Sequence, residues 1–118
     1  MNRTAPIAAA LAELRHHPAD RPLVLDAAVE ILRALADELP EAHRLDLPRH
    51  VARAYELAPW QALGLLAAYA ENNARFVPGL SKETRASFAE LAEMTAAAGR
   101  VQRPAGALAQ LPAEGASR

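Results

Sequence analysis

The sequence predicts an all-α protein, a compact four- or five-helix bundle with a flexible C-terminal tail, and three observations lead there. Apolar residues make up 52% of the chain, yet much of that share is alanine and leucine, with few aromatic side chains. These residues recur at helical spacing in one segment after another, and no strand-like alternation appears. Asp, Ser or Thr, mostly with a proline close behind, stands where the periodic runs begin. A chain of 118 residues has room for one modest core, so residues 1–99 are expected to form a single bundle and 100–118 the tail.

Thr4 with Pro6 opens the first helix, which carries Ile7, Leu11 and Leu14 on one face until Pro18 stops it. Asp20 with Pro22 opens the second. Its Leu25, Ala28, Leu32, Leu35 and Leu39 step by three and four, while Asp26, Glu30, Arg33 and Asp37 trace the opposite side. Pro40 ends it. Asp46 with Pro48 is expected to cap a third helix bearing Val51, Ala54 and Tyr55, broken at Ala58-Pro59 because the ring removes an amide donor. From Trp60 to Ala70 the only polar side chain is Gln61, the pattern of a helix at the centre of a bundle or covered by a partner. Val77-Pro78-Gly79 is a turn, and Ser81 caps a last helix with Phe88, Leu91 and Met94 that is expected to stop near Gly99. Beyond it, Pro104, Gly106, Pro112 and Gly115 prevent any long element, leaving Leu108 and Leu111 to dock at most transiently.

A formal charge of −1 supplies no global field for nucleic acid or an anionic membrane. With no cysteine there is no disulfide framework, thiolate nucleophile, iron–sulfur cluster or cysteine zinc site. The N-terminal stretch lacks a signal-peptide layout, and no segment approaches the ~18 uninterrupted apolar residues of a spanning helix. A cytoplasmic protein without membrane contact is the expectation.

The stretch from Val51 to Tyr69 has the outline of a helix-turn-helix, with Ala52 as the small residue of the first helix, Leu57 in the turn, and Ala62 and Leu65 facing inward. In that register the outward set is Pro59, Trp60, Leu63, Gly64 and Ala67, which offers base edges almost nothing. The same stretch resembles the N-terminal helical segment of the thioredoxin-like iron–sulfur subunit of NADH and formate dehydrogenases, through Val51-Ala52, Leu57, Pro59, Gly64 and Tyr69. That family continues into a cysteine-bearing domain, and this chain has no cysteine, so the resemblance implies a helical shape alone.

Arg44, Arg49, His50 and Arg53 form the best basic cluster, a phosphate-binding patch on one reading and a solvated face balanced by Glu41, Asp46 and Glu56 on the other. Glu13 and His16 have the Glu-x-x-His spacing of di-iron bundles, but no second such pair exists, and His16 and His17 suit the exposed carbonyls of a helix end. No metal or other cofactor is expected. The hydroxyl residues Thr4, Ser81, Thr84, Ser87, Thr95 and Ser117 stand in no recognisable nucleophile motif, and the five glycines are isolated, so no enzyme is expected.

All five aromatics fall between 55 and 88. Core is their usual fate, and an association surface is the alternative, because Trp and Tyr are enriched at interface hot spots. The sequence therefore predicts a non-enzymatic interaction or regulatory module. It would contact a protein partner or a second copy through Tyr55, Trp60, Leu63, Leu66 and Tyr69. The alternatives are a small DNA-binding regulator using Arg44, Arg49, His50 and Arg53, and an accessory subunit of an enzyme complex.

Overall fold

The structure, a computed structural model, describes residues 4–104, and the tail segment from residue 105 lies outside that range. Five α-helices follow one another, α1 (Thr4–His16), α2 (Arg21–Leu35), α3 (Glu41–Glu56), α4 (Pro59–Phe76) and α5 (Lys82–Gln102), with a short 3-10 turn at Ala36–Glu38 closing α2. The described residues contain no strand.

Two of the start signals act as the sequence indicated. Asp20 accepts a hydrogen bond from the Leu23 amide ahead of α2, and Ser81 accepts one from the Thr84 amide ahead of α5, each satisfying a donor that the helix itself leaves open. Pro59 occupies the first turn of α4, where its missing amide costs nothing, and Gln61 reaches back to the Ala58 amide. Gly79 turns the chain with φ of 83°, a conformation that only glycine adopts without strain.

Two boundaries differ from expectation. The third helix starts at Glu41 and runs through Pro48, so Asp46 is not its cap; its carboxylate instead binds Arg49 and His50 within the helix. The last helix continues through Gly99 to Gln102, which moves the start of any tail beyond residue 99. Gly99 is a close-approach residue and not a stop signal: a Cβ there would lie 3.3 Å from the Trp60 carbonyl oxygen and 3.5 Å from Leu63 Cβ. Gln102 is buried and donates from Nε2 to the Pro18 carbonyl at 3.0 Å, tying the end of α5 to the α1–α2 corner. Ending the chain at residue 99 is thus expected to lower Tm by about 5 °C in a thermal melt, the shift that ~1 kcal/mol produces in a domain of this size.

One core joins all five helices. α2 packs on α1, α4 and α5, and along it and the turn that follows Leu25, Ala28, Leu32, Leu35 and Leu39 are enclosed and Asp26, Glu30, Arg33 and Asp37 lie outside, as the period requires. α4 and α5 form an antiparallel hairpin. Arg85 of α5 closes it by donating to the carbonyls of Ala74 at 2.5 Å and Val77 at 3.0 Å, which satisfies the free acceptors at the C-terminal end of α4. At the same end, Glu38 accepts from the Ser81 amide at 3.2 Å, the Ser81 hydroxyl at 3.4 Å and the Thr84 hydroxyl at 2.7 Å.

Candidate functional site

The apolar run of α4 resolves into an inner and an outer face. Ala62, Leu63, Leu66, Ala70 and Asn73 point into the bundle, while Gly64, Ala68, Glu71, Asn72 and Arg75 are exposed and Leu65 is half-buried. This register differs from the helix-turn-helix expectation. Ala52 faces solvent where Ala54 is enclosed, Leu65 does not turn fully inward, and Leu63 and Ala67 are buried where the expected reading face would need them outside. The helix rotates this way because Ala62, Leu63, Leu66, Tyr69, Ala70 and Asn73 follow the three-four spacing that buries the most surface against α2 and α5.

On α5, Phe88, Leu91, Thr95 and Ala98 are enclosed, and a second stripe faces the other way, the small residues Ala86, Ala89 and Ala96 interspersed with Glu93 and Arg100 and followed by Arg103 just past the helix. Between this stripe and the outer face of α4 lies an open groove of about 1290 Å³. Its floor and walls include Gly64, Ala67, Ala68, Ala89, Ala92, Ala96 and Gly99, and Trp60 stands at the end where α5 finishes. Arg103 lies over the Trp60 ring, with Cζ 5.9 Å from the centroid, at the outer reach of a cation–π contact. The rim is charged. Glu71 pairs with Arg75 at 3.7 Å, and Glu90 pairs with Arg15 of α1 at 2.5 Å. Glu93 and Arg100 are exposed and have no ion-pair partner among the described residues.

The interface set expected from the sequence is divided by this packing. Leu63 and Leu66 are fully enclosed, and Tyr69 is buried, so these three belong to the chain's own core and cannot form a surface. Tyr55 is exposed but on another side, its hydroxyl donating to Asp26 of α2 at 2.8 Å. Only Trp60 lines the groove. The basic cluster is likewise taken up locally. Arg44 donates to the Leu39 carbonyl at 3.1 Å, Arg49 pairs with Asp46, Arg53 lies 3.4 Å from Glu56, and His50 is held by Asp46 at 3.0 Å. Glu13, His16 and His17 are exposed near the end of α1, and no group of side chains among the described residues could hold a metal ion.

A smaller pocket of about 360 Å³ lies between α3 and α4, lined by His43, Asp46, His50, Tyr69, Asn73 and Phe76 among others. The His50 and Tyr69 rings pack at a tilt of 41° with centroids 4.5 Å apart. The Tyr69 hydroxyl and Asn73 Nδ2, one turn apart, are both buried without a hydrogen-bond partner. Burial pushes the Tyr69 hydroxyl above its usual pKa; the nearby Asn73 side chain opposes this and the Asp46 charge adds to it. Tyr55 is also raised, first by desolvation, then by its bond to Asp26.

Both tyrosines therefore hold their protons more tightly when folded. Their contribution to stability is present below the unfolded value of about 10 and is lost as pH rises through the folded value. Urea melts at alkaline pH are expected to show a shallower loss of stability in Tyr69→Phe than in wild type. At neutral pH the same variant should be as stable or slightly more so, because it removes a buried hydroxyl with no partner.

Sequence reasoning missed the outer stripe of α5. The signal was present in the three-four recurrence of residues 86, 89, 93, 96, 100 and 103, but alanine counts as apolar wherever it stands and so did not separate the two faces. Compared with known proteins, the chain matches no family model, no curated protein and no solved structure, and the resemblance of residues 51–69 to the iron–sulfur subunit gains no support.

Proposed function

We propose that the protein is a helical interaction module whose α4–α5 groove receives a helix, and that it acts by protein–protein contact without catalysis. The observation that carries this reading is Gly64. A glycine inside a helix costs about 1 kcal/mol relative to alanine. Such a residue ordinarily answers to a positive φ or a crowded neighbour. Gly64 has neither: its φ is not positive, and a Cβ built on it meets nothing within 4 Å. It lies on the exposed side of α4 in the groove, so a single chain gains nothing from the missing methyl group. An incoming helix gains close backbone approach, the use to which small residues are put at helix–helix contacts. The surrounding alanines extend the same flat surface, and the charged rim gives orientation. A cytoplasmic setting, as expected from the sequence, is part of the proposal; no helix among the described residues is long and apolar enough to cross a membrane.

The test separates stability from binding at one residue. Gly64→Ala is expected to raise Tm by about 5 °C, the gain in helix propensity acting on a small domain. Gly64→Leu should stay folded, because its side chain enters open space, yet block the groove. Photo-crosslinkers placed in cells at positions 68 and 89 should yield adducts that Gly64→Leu abolishes, and crosslinkers at the exposed positions 13 and 42 should not. Equal yields at all four positions, or adducts indifferent to Gly64→Leu, would contradict the reading.

A further inference from the structure

We propose that the occupant of the groove is a second copy of this chain, joined about a two-fold axis beside Ala96 that sets Glu93 of each copy against Arg100 of the other. This deepens the docking reading above and rests on it. The charges along the outer stripe of α5 are divided by Ala96: Glu90 and Glu93 precede it, and Arg100 and Arg103 follow it. A two-fold axis perpendicular to α5 turns the partner helix end for end, and the interface it makes is self-complementary. Positions 93 and 100 are equidistant from the point between Ala96 and Ala97, as are 90 and 103, so acid meets base on both sides of the axis. Had the signs been mirrored about this point, with like charges at 93 and 100, the same operation would have set like charges together.

Three further features agree with this register. Glu93 and Arg100, the nearer pair, have no ion-pair partner within the described residues of one chain, so each is free to meet a partner. The axis passes beside two alanines, which allow the helices to approach closely. Gly64 lies level with this point, because the neighbouring Leu63 packs against Gly99 across the hairpin. Gly64 and the alanine pair therefore fall where two copies would be nearest.

The size of the face sets the expected strength. Residues 86–103 span about 27 Å of helix, and two helices side by side are roughly 20 Å wide. That gives a footprint of roughly 500 Å², just below the ~600 Å² per partner at the low end of specific pairs. A face of this size fits a weak, reversible association.

Sedimentation equilibrium of the full chain at low salt tests the inference. Wild type should pass from monomer to dimer with concentration. Glu93→Arg and Arg100→Glu, both at exposed sites and expected to melt as wild type does, should each raise Kd about tenfold, since each reverses two exposed ion pairs. An equimolar mixture of the two variants should recover wild-type association. One copy then carries a base at both positions and the other an acid at both, so every contact across the axis joins opposite charges. A mixture no stronger than the separate variants overturns the inference, and so does a wild type that is monomeric throughout. If that monomer becomes dimeric on removal of residues 105–118, the groove's occupant is the chain's own C-terminal segment and the second copy is ruled out. If the wild type is monomeric while crosslinks at 68 and 89 persist and vanish with Gly64→Leu, the second copy is overturned and the docking reading stands.

Discussion

Leu63→Glu is expected to unfold the isolated chain, not to yield a folded monomer from a dimer. Leu63 is fully enclosed, packed on α5 where Gly99 brings the two helices into close contact. Removing the leucine side chain alone costs about 2–5 kcal/mol through lost burial and the space left behind. The carboxylate adds several kcal/mol more, because its charge would leave water without a partner. Together these reach about 5–10 kcal/mol, against the lower part of the ~5–15 kcal/mol range in which a domain this small falls. Circular dichroism should show helix lost at 25 °C, and Leu63→Met, which keeps the volume, should retain it at a cost under ~1.5 kcal/mol. A helical, cooperatively melting Leu63→Glu would place this residue on a surface and contradict the packing described.

The second large effect is expected at Glu38. Its carboxylate takes three hydrogen bonds from Ser81 and Thr84, and so fixes the end of the α2 segment to the first turn of α5. A negative group beside the N-terminal end of a helix also meets its partial positive charge. Glu38→Ala removes the acceptor of all three at once and leaves the Thr84 hydroxyl, on a buried residue, unpaired. A loss of about 2–3 kcal/mol in urea unfolding is expected, the size of one or two bonds to a charged group. Glu38→Gln keeps an acceptor oxygen and should lose about half as much. Ser81→Ala, which also removes the cap on Thr84, should fall between the two.

The fold was largely legible because its main signals are local and redundant. Asp20 and Ser81 cap where their side-chain oxygens dictate, and the inner face of α2 follows from leucines at three-four spacing, which have one way to be buried together. Legibility failed where one residue type serves two purposes. Gly99 reads locally as a helix stop, yet it is a packing residue whose meaning depends on Trp60 and Leu63, thirty-six and more positions away. Pro48 reads as a helix start, but its exposed ring lies within a helix already begun at Glu41.

The candidate site was the least legible part. Trp60 to Ala70 has hardly a polar side chain, so hydropathy alone leaves its rotation about the helix axis undetermined, and that rotation decides between Leu63 and Gly64 as the outward residue. The association surface expected on leucines and tyrosines lies instead, on the reading proposed above, on glycine and alanines, whose small area carries little hydropathy signal. The basic residues Arg44, Arg49, His50 and Arg53 are adjacent in sequence as expected, but each has a partner within its own helix or the turn before it.

On the reading proposed above, the free face of this molecule is the α4–α5 groove, and another copy covers it. Amide chemical shifts of the isotope-labelled full chain, followed over a dilution series, test that claim residue by residue. Concentration-dependent shifts are expected at residues 64, 68, 89, 93, 96 and 100, with the exposed residues of α2 unchanged. Shifts that cluster on α1 or α3, or a spectrum that does not change with concentration, would contradict it.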